Sequence, residues 1–404
     1  MALSLPLPVP QQQRTTTTSN GEIQETDIFH QFDVVSESSD HHYLDSNDSS
    51  SSKKTKDGGG DSFKNISSGV YKKIMQEWKI LEKHLPGSIY VRVHENRIDL
   101  LRAVIIGVAG TPYHDGLYFF DIAFPPDYPA RPPLVYYRSF GLRINPNLYA
   151  NGRVCLSLLN TWPGRKSEKW DSSESTVLQV LVSIQALVLN EKPYYNEPGN
   201  GVLPGRAIWE KKSNAYSENV FFLSCKTMLF LLRRPPKNFE GFVASHFREK
   251  ASVILSACNA YSSGQARVGC YRNDGSCSSG NPSTVDVSDK FKGLMGQLYP
   301  ELLLGFRRNG ASLGDFGEQS VLPVEMKTVS FKGETVVRRK QGGFARTVFG
   351  KLKRVLGLKK KIKSGKSGVK KEGFLIDLLI LVYQVTFRIF HDDGYELRTF
   401  QEYS

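Results

Sequence analysis

The stretch "GLYFFDIAFPPDYPARPPLVYY", residues 116–137, decides how this chain is expected to fold. Its first nine residues are mostly aromatic or aliphatic, a composition typical of a β-strand. Five prolines lie between Pro125 and Pro133. They exclude a helix or a central strand there, because proline lacks an amide hydrogen and has a fixed φ. The closing "LVYY" is strand-like again, so we predict two strands joined by a rigid proline-rich loop.

The residues before this stretch predict one amphipathic helix and two further strands. In "YKKIMQEWKILEKHLP", residues 71–86, apolar side chains recur at helical spacing, lysines occupy the other faces, and Pro86 ends the helix. Residues 88–97 and 100–110 are rich in branched aliphatic side chains and are separated by short turn-forming segments. Short loops favour antiparallel neighbours. We therefore expect an α+β fold, in which helices flank an antiparallel four-stranded meander.

After the meander, "INPNLYANGRVCLSLLNTW", residues 144–162, places Cys155 between a stiff Asn-Pro-Asn turn and an apolar run. Residues 175–190 are apolar almost all round, as in a helix that is buried on several sides. Residues 207–232 and 242–261 predict two more helices. By itself, a lone cysteine in this position is more often a buried core residue than a reactive one, so the local pattern does not assign it a role.

The strongly basic composition belongs to one tail rather than to the whole chain. The net charge is +13 over 404 residues, and the segment from Arg338 to Lys371 alone holds 14 Lys and Arg with no Asp or Glu. The rest is close to neutral, so a nucleic-acid partner is not indicated. Five cysteines without a CxxC pair, and an N-terminus without a basic start, predict reduced thiols in the cytosol or nucleus.

Composition divides the chain into six regions. Residues 1–68 are polar and lack apolar periodicity, so they are predicted to be disordered. The others are a globular core (69–235), a helical extension (236–262), a flexible Gly/Ser-rich region (263–337), a basic tail (338–371) and an apolar segment of unassigned role (372–404).

Two motifs in the predicted core indicate a family. "PYHDGLYFFDIAFPPDYPARPPLVYY" resembles the pattern Pro-Tyr, Gly, Phe-Pro-x-x-Tyr-Pro-x-x-Pro-Pro of the ubiquitin-conjugating enzymes. "NPNLYANGRVCLSLL" resembles their His-Pro-Asn motif, with Asn147 eight residues before Cys155. The resemblance covers residues 70–235, is strongest to the long plant members, and implies the ubiquitin-conjugating (UBC) fold.

The resemblance implies a role for three residues. Cys155 would accept ubiquitin from the activating enzyme as a thioester, and a substrate lysine would then attack that thioester. Asn147 would stabilise the oxyanion, or support the loop that does so. Glu197, before Pro198, resembles the family acid that orients the incoming lysine, and a solvated surface acid is the alternative. This mechanism requires the Cys155 sulfur to be accessible to solvent.

Partner surfaces are implied in the same way. Lys72 and Lys73 lie on the helix face that meets the activating enzyme in the family, although a merely solvated face is the alternative. Ala130 stands where ligase-binding members carry phenylalanine, and Trp162 follows the cysteine by seven residues instead of eight. The insertion 163–175 enlarges the adjacent loop. These departures weaken the expectation of docking by the usual ligases and suggest that the protein selects substrates itself.

Other interpretations remain beside this one. The family histidine is Asn145 here, which we expect to keep the turn intact through its own side-chain hydrogen bonds. A non-catalytic adaptor with a UBC fold that binds ubiquitin is the alternative function. A cysteine hydrolase would need His114 or His246 to reach Cys155, and neither lies in a recognisable motif.

No cofactor is expected, because ATP is consumed by the upstream activating enzyme. No metal site is expected either, since Cys258, Cys270 and Cys277 lack zinc-site spacing. The basic tail suits solvation or nuclear targeting, and binding to nucleic acid or to an acidic partner is an alternative use of it. Residues 344–390 also suit peripheral contact with an acidic membrane. At 17 residues with internal charges, 374–390 is short for a spanning helix.

Overall fold

The computed structural model describes residues 29–44, 68–200, 207–271 and 286–317. Its centre is a sheet of five strands in sequential order: β1 (Phe32–Val35), β2 (Ile89–His94), β3 (Arg97–Ile106), β4 (Leu117–Ala123) and β5 (Leu134–Tyr137). Strands β2 to β5 are antiparallel neighbours, which confirms the predicted four-stranded meander. Strand β1 adds a fifth strand, parallel to β2.

Strand β1 belongs to a segment, residues 29–44, that we call the strap. The strap lies inside the region 1–68 predicted to be disordered, and that prediction is wrong for these residues. Phe29 packs 4.9 Å from Phe242, and Phe32 packs 6.4 Å from Trp78, measured between ring centroids. Each contact joins residues far apart in sequence, and the strand-forming residues of β1 stand beside a long polar stretch that obscured them.

Two helices cover the first face of the sheet. They are α1 (Ser68–His84), at the predicted position, and α2 (Val177–Ser183), which continues as a π-helical turn to Val188. Thr176 caps α2 and forms a capping box with Gln179. The buried carboxylate of Glu77 accepts hydrogen bonds from the Tyr128 hydroxyl (2.7 Å) and the Val177 amide (2.9 Å). Glu77 thereby ties α1 to the proline-rich loop and to α2.

Three helices build a second apolar core against the other face. They are α3 (Ala207–Arg233), α4 (Glu240–Ser262) and α5 (Asp289–Arg308). They pack on outward-facing sheet residues such as Val104 and Phe119. Helices α3 and α4 confirm the two predicted after residue 206. Because both faces are covered, β3 is buried along nearly its whole length.

Helix α5 lies in the region 263–337, and the prediction of flexibility is wrong for residues 289–308. Its buried side chains recur at helical spacing, and they are Phe291, Met295, Leu298, Leu302, Leu303 and Phe306. The glycines between them hid this pattern, although one of them serves packing. A Cβ on Gly305 would lie 2.9 Å from a methyl of Leu229, so glycine lets α5 approach α3 closely.

Among the described helices, none combines the length and apolarity that a bilayer span requires. The basic tail 338–371, the segment 372–404 and the proposed membrane contact through 344–390 lie outside the described residues. The same holds for Cys277.

Candidate active site

The Asn-Pro-Asn turn is held by the side chain of Asn145, which is fully buried. Its oxygen accepts the Asn147 amide at 2.8 Å. Its nitrogen donates to the Tyr113 hydroxyl at 2.8 Å and to the Val188 carbonyl at 2.7 Å. The expectation that asparagine can replace the family histidine in this turn is confirmed. Asn145 also connects the turn to the end of the helical segment after α2.

Asn147 and Cys155 are joined by two hydrogen bonds. The Cys155 amide donates to the Asn147 carbonyl at 2.9 Å, and the Asn147 side-chain amide donates to the Cys155 carbonyl at 2.8 Å. Between them, Gly152 turns the chain with φ +84°, and any Cβ there would overlap the Tyr136 ring. Asn147 is thus placed to support the cysteine segment, and its amide is already engaged by backbone.

Cys155 is almost completely buried, and surface side chains lie beside its thiol. Cys155 is only 2% exposed, so the expectation of an open thiol is wrong for this structure. Its neighbours include the side chains of Tyr149, Arg153 and Arg143. The guanidinium of Arg143 lies 4.6 Å, and that of Arg153 5.8 Å, from the centroid of the Tyr149 ring. Sequence patterns could not anticipate this burial, because it depends on side-chain conformations.

The same neighbours set the acidity of the thiol. Burial raises the pKa of the Cys155 thiol above its usual value. The charge of Arg153, a hydrogen bond from Tyr149 and the charge of Arg143 act in the opposite direction and lower that pKa. The fraction of thiolate at Cys155, and with it the reactivity of the thiol, therefore depends on these three neighbouring side chains.

Glu197 lies on the same surface and contacts Arg143. It follows a 3₁₀ turn, Pro193–Asn196, and its side chain is half exposed. One carboxylate oxygen lies 3.3 Å from the Arg143 guanidinium. Glu197 is thus connected to the neighbourhood of Cys155 through Arg143, and its implied role stays a prediction.

The remaining predicted residues lie on α1, in the proline-rich loop and after the cysteine segment. Lys72 is exposed and Lys73 half-buried on α1, Ala130 is exposed in the proline-rich loop, and Trp162 is half-buried. The enlarged loop 163–175 is anchored by Trp170, whose indole nitrogen donates to the Pro129 carbonyl at 2.7 Å. The loop thus lies directly beside Ala130.

Three residues of the site were missed by sequence reasoning: Arg143, Tyr149 and Arg153. A signal existed for Arg153, which precedes Cys155 by two positions and so shares its face of an extended segment. Tyr149 is brought back to Arg153 by the turn, where its amide donates to the Arg153 carbonyl at 3.0 Å.

The two histidines considered for a hydrolase are engaged elsewhere. The His114 ring contacts the Asp115 carboxylate at 2.8 Å and the Tyr261 hydroxyl at 3.0 Å. His246 contacts the Asp115 carbonyl at 2.8 Å. Both rings therefore fasten α4 to the β3–β4 loop. Within the described ranges, no group of three or more His, Cys, Asp or Glu side chains is arranged to hold a metal ion.

Known proteins resemble this chain over the region just described. The family model for the ubiquitin-conjugating enzyme matches residues 73–223. Putative ubiquitin-conjugating enzyme E2 38 of Arabidopsis thaliana is 55% identical over 236 residues, covering 58% of this chain and 68% of that protein.

Two larger relatives match as well. Probable ubiquitin-conjugating enzyme E2 24 of Arabidopsis thaliana is 49% identical over 282 residues, 70% of this chain but 29% of that protein. A human dual E2 ubiquitin-conjugating enzyme/E3 ubiquitin-protein ligase is 40% identical over 203 residues, 48% of this chain and 4% of its own length. The chain thus spans less than a third of both of these relatives.

Proposed function

Because this chain belongs to the ubiquitin-conjugating enzyme family, we propose that it carries ubiquitin on Cys155 and transfers it to lysines of protein substrates. The observation that carries this proposal is the mutual hydrogen bonding of Asn147 and Cys155 within the family-matched region. It holds the nucleophile rigidly at a surface turn. No cofactor is needed in this step, since ATP is consumed upstream by the activating enzyme.

The first step is a thiol exchange at Cys155. The Cys155 thiolate attacks the thioester carbonyl of ubiquitin on the activating enzyme, a new carbon–sulfur bond forms, and the donor thiolate leaves. No histidine is required, because only the thiolate form is needed. The charges of Arg153 and Arg143 favour that form. The four described cysteines carry free thiols, which suits the reducing cytosol or nucleus.

The second step is aminolysis of the thioester. A substrate lysine amine attacks the carbonyl carbon, the isopeptide bond forms, the carbon–sulfur bond breaks, and the amine proton is lost. We assign Asn147 the support of the turn beside the developing oxyanion, and Glu197 the orientation of the incoming amine. Glu197 suits this task because its half-exposed carboxylate lies beside Arg143, a neighbour of Cys155.

The partners of this reaction would use two surfaces. Lys72 and Lys73 on α1 would face the activating enzyme, whose approach their charge would favour. Around Ala130 and Trp162, the loop anchored by Trp170 occupies the flank of the proline-rich loop. This placement, together with a relative named as a dual conjugating enzyme and ligase, supports substrate selection without a separate ligase.

One assay tests the function. The full chain is mixed with activating enzyme, ATP and ubiquitin, and a non-reducing gel should show an adduct that thiol reagents remove. Cys155→Ser should give a thiol-resistant ester or nothing. A wild-type chain that binds ubiquitin but never forms the adduct would instead support the adaptor, and charging that survives loss of Cys155 would refute the assigned nucleophile.

The role of Asn147 is tested by the discharge step. Asn147→Ala should still charge but release ubiquitin to free lysine about 10²-fold more slowly. Transfer of ubiquitin to intact protein substrates without an added ligase tests whether the protein selects its substrates itself. Discharge that always requires an added ligase would contradict that part of the proposal.

A further inference from the structure

The three side chains that act on the Cys155 thiol lie at the surface rather than in the core. Arg143 and Arg153 are exposed residues, and the Arg143 side chain retains 47% of its accessible surface. Both guanidinium groups contact the ring of Tyr149, which is half-buried between them. We call these residues the gate. Cys155 is nearly inaccessible, and its neighbours Arg143, Tyr149 and Arg153 are surface residues whose side chains can change rotamer.

The gate is fastened on one side by Arg143. Its guanidinium donates to the Pro146 carbonyl at 3.1 Å and lies 3.3 Å from the Glu197 carboxylate. The first contact belongs to the Asn-Pro-Asn turn, and the second to the acid assigned to the incoming lysine. Before ubiquitin is attached, the Glu197 carboxylate is therefore paired with Arg143 of the gate.

We propose that Arg143, Tyr149 and Arg153 form a gate over Cys155 that is latched by Glu197, and that Arg143 is a positioning residue which releases Glu197 when the gate opens. The first half concerns only access to the thiol. The second half rests on the proposed function, because it assigns Glu197 to the incoming amine once ubiquitin is attached.

The contacts favour opening at low cost. A cation–π contact at an exposed site and an exposed ion pair each stabilise the closed arrangement only weakly. A bulky acyl donor can displace such a gate through its binding to the protein, whereas a free bulky reagent needs a wide opening and a small one needs only a narrow opening. The gate thus protects the Cys155 thiol before ubiquitin is attached. It does not prevent the reaction of that thiol with the acyl donor.

The experiment measures labelling of Cys155 in the full chain with a small and a bulky maleimide, N-ethylmaleimide and fluorescein maleimide. Mass spectrometry follows the Cys155 peptide, and the half-exposed Cys270 provides an internal reference. The ratio of bulky to small labelling rates is the readout. Because both reagents require the thiolate, a changed thiol pKa largely cancels from this ratio.

Tyr149→Ala should raise the ratio about tenfold, because it removes the contacts of both guanidinium groups with the ring. Arg143→Ala should raise it about threefold, because it removes one ring contact and the ion pair with Glu197. Tyr149→Phe should keep most of the protection, because the ring remains. The matched control is Arg233→Ala, an exposed arginine of α3 that is paired with Glu301 at 3.4 Å. It should label like wild type. Unchanged ratios in both alanine variants would overturn the gate.

The latch is tested with Glu197→Gln. Glu197→Gln should raise the labelling ratio as much as Arg143→Ala does. It should discharge preformed ubiquitin thioester onto lysine more slowly than wild type. Arg143→Ala should discharge that thioester at least as fast as wild type. Slow discharge in both variants would overturn the release of Glu197 by Arg143. The labelling assay requires no ubiquitin. A wild-type chain that never forms the ubiquitin thioester would refute the proposed function, and the labelling ratios would still test whether the gate restricts access to Cys155.

Discussion

The two faces of the sheet are held by different kinds of contact, although neighbouring residues of the same strands supply both. On β3, Leu101 lies in the apolar core beneath α1 and α2. The next residue, Arg102, faces the other way and pairs with Asp121 of β4 at 2.6 Å. Asp40 of the strap adds a second partner at 2.6 Å. One face is thus stabilised by apolar burial, the other in part by buried charge.

The difference shows how each face depends on its partners. Apolar burial is non-directional, and each buried large side chain contributes about 1.5–3 kcal/mol. A buried ion pair costs desolvation and is strongly destabilising when one partner is lost. The strap therefore needs its specific partners, including the ion pair of Asp40 with Arg138 at 2.9 Å and the bond from the His42 amide to Asp121 at 2.9 Å.

The largest effect is expected for Asp121→Ala. It leaves Arg102 buried with a lost partner and should lower the free energy of unfolding by about 3–5 kcal/mol, measured by urea denaturation. Adding Arg102→Met should restore much of the loss, because Asp40 keeps Arg138 and two apolar residues replace the pair. A double variant as unstable as the single one would contradict the assignment of buried charge to this face.

The matched change on the apolar face is Leu181→Ala in α2, where Leu181 is fully buried. The lost burial and the remaining cavity should cost about 2–5 kcal/mol in the same assay. No second substitution at a polar neighbour should rescue it. A loss below about 1 kcal/mol would show that this face is less tightly packed than its burial indicates.

Lowering the pH should weaken the contacts around the strap. Burial lowers the pKa of His94 to about 4, and it also lowers that of His41. The unfolded chain, with ordinary histidines, binds more protons below pH about 6.5. Stability should therefore be complete above that pH and fall by up to about 3 kcal/mol as the pH drops towards 4. Urea midpoints at several pH values measure this loss, and His94→Leu should flatten it.

The smallest effect on stability is expected at the gate. Arg143→Ala removes an exposed ion pair and should change the free energy of unfolding by less than about 1 kcal/mol, in contrast with its effect on labelling. Thermal denaturation beside the labelling assay provides the comparison. A larger loss would mean that Arg143 supports the fold, and its labelling effect would then have to be interpreted as unfolding.

Prediction from sequence succeeded where the signal is local. The proline-rich loop, the amphipathic helix α1 and the meander all follow from residues within a short window. It failed for the strap and for α5. The strand-forming residues of β1 stand beside a long polar stretch, and α5 carries its apolar residues among glycines, one of which is needed against Leu229.

The sequence by itself determined the strands, most helices and the cysteine beside its Asn-Pro-Asn turn, because hydrophobic periodicity, proline and short motifs act over neighbouring residues. Only the tertiary structure decided that the strap closes the sheet, that Arg143 holds Glu197 54 positions away, and that Cys155 is covered. Such contacts depend on which distant side chains meet once the chain has folded, and many pairings are compatible with the same local pattern.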